Sequence, residues 1–151
     1  MADIRFYHLK TQTLDEALPA LVMKAYDNAA KRVLIRVPDK AAAERINTLL
    51  WTFRPDVFLP HGTGKDGHAE RQPVFIDAAP SGNPNGAGVL IACGGAPTDD
   101  AADYSLVCEI FADHEQDIVA AARQRWKTYK EAGHALTYWQ QSDGGRWEQK
   151  A

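Results

Sequence analysis

A segment near the end of the chain is rich in basic and aromatic residues, as is typical of a binding site for an anionic ligand. The segment AARQRWKTYKEAGHALTYWQQ, residues 121–141, lies in a chain whose net charge is −3. In a helix, Arg123 and Lys127 would lie one turn apart on one face. Trp126 and Lys130 would form a second such pair beside it. An arginine fork binds a carboxylate and an aromatic wall accepts an apolar side chain, so the cluster suits an acidic peptide with a hydrophobic anchor.

Two other interpretations of this cluster stay open from the residues alone. Composition favours a solvated helix face whose Trp126 packs on the core. Cations beside aromatics are also typical of single-stranded nucleic-acid-binding modules. However, a single patch of four charges on an acidic domain would bind nucleic acid weakly and in a salt-sensitive way. The sequence pI of about 5.9 argues against a protein that coats DNA generally.

Gly64 and Lys65, in the segment HGTGKDG, resemble part of a phosphate-binding loop. That loop requires a glycine five positions before Gly64, where this chain has Leu59, and a hydroxyl residue after the lysine, where it has Asp66. We predict no strand leading directly into the segment and interpret it as a flexible loop. A nucleotide-dependent enzyme is therefore a third functional hypothesis, and the missing residues count against it.

Other residue types used in catalysis or metal binding do not combine into a site. His61 and His68 share a loop with acidic residues, but their spacing matches no common ligand pattern. Serine is scarce and never in the context of a nucleophile elbow. We expect no catalytic residue, no metal site and no cofactor. Cys93 and Cys108 are expected to be small buried apolar residues.

Alternating strand and helix patterns predict an α/β fold that positions these groups. The patterns predict strands over 4–9, 32–37, 74–78, 87–93, 104–111 and 135–141, and helices over 14–30, 40–51 and 115–132. The nearly continuous apolar run RVLIRV is typical of a strand buried on both faces of a parallel sheet. The prediction is one domain, residues 1–151, with a mostly parallel central sheet flanked by helices.

Polar residues at the predicted helix starts mark their first turns. Thr13 and Glu16 have the spacing of a capping box before the first helix. Asp39 is expected to cap the second helix, and Asp113 or His114 is expected to precede the third. The predicted starts of these helices therefore follow from local sequence alone.

No targeting or membrane-spanning pattern is recognisable. The start, MADIRFYHLK, has no apolar run behind a basic region. No apolar stretch approaches the roughly 20 residues that cross a membrane. We expect a cytoplasmic protein with no membrane partner.

Several segments, in this order and at this length, resemble the chi subunit of bacterial DNA polymerase III holoenzyme. They are RFYHL at the start, KRVLIRVPD, LLWTFRPDVFLPHG at 49–62 and the basic-aromatic tail at 121–150. The resemblance implies a Rossmann-like, nucleotide-binding fold that lacks the nucleotide site. It also implies a non-enzymatic adaptor of the clamp-loader complex in DNA replication.

The resemblance implies two protein partners, with DNA contacted only indirectly. One is the psi subunit of the polymerase, and the other is the acidic C-terminal tail of single-stranded DNA-binding protein, which ends in Pro-Phe with a free carboxylate. Arg123, Trp126 and Lys127 match the tail-binding motif of the family. Arg123 would pair with the terminal carboxylate, Trp126 would line the phenylalanine pocket and Lys127 would attract upstream aspartates. Lys130 is added to this set on charge alone.

A second surface is implied by the segment at 49–62. Trp51, Phe58 and Pro60 match family positions associated with docking psi or a repair helicase. Exposed apolar residues after a helix are a common interface signal. The alternative is that Trp51 is the last core residue of its helix. The terminal segment DGGRWEQK departs from some family members, and we assign it no function.

Overall fold

A sheet of strands covered by α-helices makes up the part of the chain that the computed structural model describes, residues 2–29, 32–53 and 60–151. The strands are β1 (Asp3–Leu9), β2 (Val33–Arg36), β3 (His61–Thr63), β4 (Val74–Asp77), β5 (Val89–Cys93), β6 (Leu106–Ala112), β7 (Ala135–Gln141) and β8 (Trp147–Gln149). The α-helices are α1 (Leu14–Ala29), α2 (Lys40–Thr52) and α3 (Gln116–Glu131). The predicted α/β class with helices flanking a central sheet is confirmed.

The sheet has the strand order β3-β4-β2-β5-β6-β1-β7-β8. Neighbouring strands are parallel except for the antiparallel pair β7–β8. β1 lies between β6 and β7, with Phe6 opposite Tyr138 and His8 opposite Gln140 on the β7 side. Because side chains alternate along a strand, these four residues lie on the same face of the sheet.

Apolar side chains fill the space on both faces of the sheet. On one face, Leu18 and Val22 of α1 and Ile46 of α2 are fully buried. On the other face, Val119 and Ala122 of α3 pack in a separate cluster that includes Phe6. All of β2 is buried, which confirms the prediction from its apolar run. α3 therefore lies on the opposite side of the sheet from α1 and α2.

The predicted caps of the first two helices are confirmed. The Thr13 amide donates to Glu16 at 2.9 Å and the Glu16 amide donates to Thr13 Oγ1 at 3.2 Å, which is a reciprocal capping box. Asp39 accepts a hydrogen bond of 2.8 Å from the amide of Ala42 at the start of α2. Local sequence chemistry therefore fixes where these helices begin.

α3 begins without a side-chain cap. Glu115 occupies the N-cap position and makes no side-chain capping bond. The Asp113 carboxylate instead hydrogen-bonds His8 on β1. A long-range contact has thus taken the acceptor that a local cap would have used.

Two short strands were absent from the prediction. β3 leads directly into Gly64, so the prediction that HGTGKDG follows no strand and is a flexible loop is wrong. Its sequence, His-Gly-Thr, is too short to show a strand pattern and contains a glycine, which strands disfavour, and it forms a strand because it pairs with β4. β8 forms in the terminal segment by folding back on β7 through a turn in which Gly145 has φ of +82°.

None of the helices in these ranges is long and apolar enough to span a membrane.

Candidate functional site

One side of α3 presents the residues that the sequence singled out. Arg123, Lys127 and Lys130 are exposed and Trp126 is partly buried. Their spacing of three, four and seven residues places them in one row along the helix, which we call the α3 stripe. The buried residues of α3, Val119, Ala122 and Tyr129, lie on the adjacent side of the helix, so the row runs along the edge of the core with Trp126 nearest to it. The structure therefore brings together the four residues of the predicted tail site.

Arg125, which lies in the same basic segment, does not belong to the α3 stripe. Its Nε donates to both oxygens of Glu109 on β6, at 2.8 and 3.1 Å, and its Nη2 donates to the same carboxylate. The Glu109 side chain is buried. A bidentate pair with a buried partner fixes this arginine against the sheet. Arg125 therefore holds α3 on β6, and its guanidinium is already paired within the protein.

Trp126 packs in an aromatic group while it keeps a partly exposed side. Its ring centroid lies 5.4 Å from that of Phe6 and 5.8 Å from that of Tyr138, both in edge-to-face geometry. Phe6 and Tyr138 stack at 5.9 Å. Such contacts fix the orientation of the indole ring. The two interpretations of Trp126, as a core residue and as an aromatic wall, are thus compatible.

A polar network beside this aromatic group was not predicted from sequence. The buried His8 ring lies 2.7 Å from Asp113 Oδ1 through Nε2 and 2.9 Å from the Tyr138 hydroxyl through Nδ1. Gln140 Nε2 lies 3.4 Å from the same Nδ1. Period-two alternation in β1 and β7 was the available signal, since it puts His8 and Tyr138 on the α3 face once the strands are known to be neighbours.

The positive charge of Arg123 affects the pKa values of two residues in this network. Burial raises the pKa of Tyr138, and the positive charge of Arg123 opposes that rise. Burial also lowers the pKa of His8, with Asp113 opposing the shift and Lys10 and Arg123 adding to it. The α3 stripe and the polar network therefore form one electrostatic neighbourhood. It combines cations, an aromatic wall and hydrogen-bonding groups, and can bind an anion with an apolar part.

The second predicted surface lies at the end of α2. Trp51 is 51% exposed, so the interpretation of it as a core residue is wrong. Its ring centroid lies 4.5 Å from that of His61 with the two rings tilted at 47°, and His61 Nε2 donates to the Asn47 carbonyl at 3.1 Å. Pro60 is partly buried. Phe58 lies outside the described residues.

The segment with Gly64 and Lys65 lines a cavity of about 610 Å³ at the carboxyl ends of β3 and β4. Lys65 pairs with Glu44 of α2. Asp39 and Asp77 also line the cavity. With Glu44, the cavity has three carboxylates against two lysines, Lys40 and Lys65, so the local charge does not favour binding of a phosphate.

The two cysteine thiols are buried and protonated, which makes them poor nucleophiles. Both cysteines are buried, which confirms their prediction as interior residues. Burial raises the pKa of Cys93 and of Cys108 to about 12, so both stay protonated near neutral pH. Within the described ranges, no group of three or more His, Cys, Asp or Glu side chains is arranged to hold a metal ion.

Comparison with known proteins identifies relatives over most of the chain. Residues 1–137 match the family model described as DNA polymerase III chi subunit, HolC. The DNA polymerase III subunit chi of Escherichia coli (strain K12) is 29% identical over 142 residues, which cover 90% of this chain and 96% of that protein. The probable DNA polymerase III subunit chi of Rickettsia prowazekii (strain Madrid E) is 33% identical over 99 residues, covering 66% of this chain and 58% of that protein.

The matched region contains all four residues of the α3 stripe and the exposed Trp51, and it ends one residue before Tyr138. A family model that covers residues 1–137 spans nearly all of the fold, from β1 into β7. The chain therefore belongs to the DNA polymerase III chi subunit family.

Proposed function

We propose that this chain is a non-catalytic adaptor of the replicative DNA polymerase III clamp-loader complex. In this role it links the complex, through the psi subunit, to the acidic C-terminal tail of single-stranded DNA-binding protein during DNA replication. It would be an accessory subunit of the polymerase holoenzyme. Family membership supports the place in the polymerase. The observation that carries tail binding is the α3 stripe, with exposed cations beside a fixed indole ring.

The α3 stripe suits a short acidic peptide that ends in an aromatic residue. The guanidinium of Arg123 would pair with the terminal carboxylate, and Trp126 would line the pocket of the terminal phenylalanine. Lys127 and Lys130 would attract the aspartates upstream. Arg123 and Lys130 are seven residues apart, about 10 Å along the helix axis. An extended peptide covers that length with roughly three residues, so one short tail can reach the whole row.

The second surface would serve a different partner. We assign Trp51, Phe58 and Pro60 to docking of psi or of a repair helicase, supported by the exposure of the large Trp51 side chain. α2 packs on the face of the sheet opposite α3. The two partners would therefore bind at the same time. Many tails along coated DNA would raise the effective concentration, so modest single contacts would still hold the complex.

Calorimetric titration with a short acidic peptide ending in Pro-Phe tests the tail receptor. We expect dissociation constants on the order of micromolar that weaken with added salt. Arg123→Ala should reduce the affinity at least about tenfold, because an arginine–carboxylate pair is lost. Amidation of the peptide terminus should do the same. Arg45→Ala, on the exposed side of α2, is the matched control and should leave the affinity unchanged.

Two results would contradict the tail receptor. One is the absence of peptide binding by the wild-type protein, and the other is equal binding by the wild-type and Arg123→Ala proteins. Tight binding of a bare oligonucleotide in place of the peptide would favour the alternative, a single-stranded nucleic-acid-binding module.

A further inference from the structure

We propose that His8 is a positioning residue for the peptide receptor on α3. It fixes the direction of the Tyr138 O–H group, so that the receptor offers the peptide a hydrogen-bond acceptor when His8 is neutral and a donor when His8 is protonated. This inference rests on the proposed tail-binding function and adds residues from β1 and β7 to it.

The geometry of the His8 ring leaves one consistent arrangement of protons in the neutral form. An ionised carboxylate only accepts hydrogen bonds, so Nε2 must carry the proton that reaches Asp113 at 2.7 Å. Nδ1 is then an acceptor, and the Tyr138 hydroxyl at 2.9 Å must donate to it. The Gln140 amide lies 3.4 Å from Nδ1 and also hydrogen-bonds the Tyr138 hydroxyl. Tyr138 thus directs its hydroxyl proton toward the histidine.

This arrangement determines what Tyr138 offers to a ligand. Its only hydroxyl proton is committed to His8, so the oxygen can accept a hydrogen bond, for example from a peptide N–H. The Tyr138 ring meets Trp126 edge to face at 5.8 Å and is partly exposed, so it lies beside the proposed phenylalanine pocket. Protonated His8 would donate through Nδ1, and the tyrosine proton would then turn away from it. The same oxygen would become a donor suited to a carboxylate.

The charges around His8 couple this change to the binding of an anion. The groups that face it are Asp113 before α3, Tyr138 on β7, Lys10 after β1 and Arg123 on α3. Lys10 and Arg123 oppose a positive charge on the ring. An acidic peptide bound at Arg123 would neutralise part of that charge and raise the pKa of His8 in the complex. Binding would then take up a proton as the pH falls, and the affinity would rise.

Peptide titrations from pH 7.5 to 5.0, each in two buffers of different ionisation enthalpy, test this assignment. We expect the affinity of the wild-type protein to rise about threefold or more over this range, with proton uptake visible as a buffer-dependent enthalpy. His8→Asn keeps an acceptor for Tyr138 and cannot titrate. This variant should therefore bind the peptide at pH 7.5 and show neither the rise in affinity at lower pH nor the proton uptake. His114→Gln, which changes an exposed histidine beside Asp113, should behave as wild type.

Tyr138→Phe keeps the ring and removes the hydroxyl, and it should also reduce the rise in affinity. Nitrogen NMR of the free protein should report the Nε2–H tautomer of His8 at neutral pH. Retention of the full pH dependence and proton uptake by both His8→Asn and Tyr138→Phe would overturn the role of His8. Absence of peptide binding by the wild-type protein at every pH would overturn the proposed function itself.

Discussion

The α3 stripe and the surface around Trp51, which we propose as recognition surfaces, differ in chemistry and lie on opposite sides of one sheet. The first has three exposed cations on the middle and last turns of a helix, next to an indole ring fixed by Phe6 and Tyr138. The second has one large exposed indole ring at the end of α2, in contact with the His61 ring. A charged surface suits an acidic tail that arrives from solution, whereas an apolar one suits a folded partner that stays bound.

This difference has a measurable consequence, because screening by salt acts mainly on exposed charges. Binding at the α3 stripe should weaken strongly with salt, and binding at Trp51 should weaken little. Substitutions on the two surfaces should also act independently, since the sheet separates them.

Trp126→Ala should have the largest effect among substitutions outside Arg123. Loss of the indole ring removes the wall of the phenylalanine pocket and should weaken peptide binding about 10- to 100-fold. The protein should also lose about 2 kcal/mol of unfolding free energy, because Trp126 contacts Phe6 and Tyr138. Calorimetry and thermal unfolding measure the two effects. Trp126→Tyr retains an aromatic wall and should restore most of the affinity; equal loss in both variants would contradict the role of the ring.

Trp51→Ala should weaken binding of psi about tenfold and leave peptide binding unchanged. Half of the side chain is exposed, so the thermal stability should change little. Pull-down and calorimetry with purified psi, beside the peptide titration, measure both. Arg123→Ala should weaken peptide binding and leave binding of psi unchanged. If either variant weakened binding of psi and binding of the peptide equally, the two surfaces would not be independent.

Lys130→Ala should have the smallest effect, a loss of about two- to fivefold in peptide affinity at low salt. An exposed ion pair contributes at most about 1 kcal/mol and is screened by salt. The loss should disappear above roughly 0.5 M salt, where the Debye length is only a few ångströms. Lys24→Ala, on the exposed side of α1, is the matched control. A loss that persists unchanged at high salt would indicate that Lys130 makes a buried contact with the ligand.

Local patterns were enough to predict the α3 stripe and most of the elements. The stripe follows from helical spacing, and the capping box at Thr13 follows from two side chains three residues apart. β3 could not be predicted in this way, because its strand conformation depends on pairing with β4. Local composition predicted no strand before Gly64, and pairing with β4 overrides that local preference.

The remaining part of the site depends on the order of strands in the sheet. His8 and Tyr138 are distant in the sequence and meet only because β1 and β7 are neighbours. Asp113 lies just before α3, and its carboxylate hydrogen-bonds the buried imidazole of His8 on β1. Sequence periodicity predicts which face of an element a residue occupies, and the topology then decides which faces meet.

The most direct test of the account is a titration of isotope-labelled protein with the acidic Pro-Phe peptide, followed by NMR. Amide and side-chain shifts should change along α3 from Arg123 to Lys130 and at Tyr138 on β7, while those of Trp51 and β3 stay constant. The indole N–H of Trp126 should show the largest change. Shift changes centred on Trp51 and β3, with α3 unaffected, would contradict the assignment of the acidic tail to the α3 stripe.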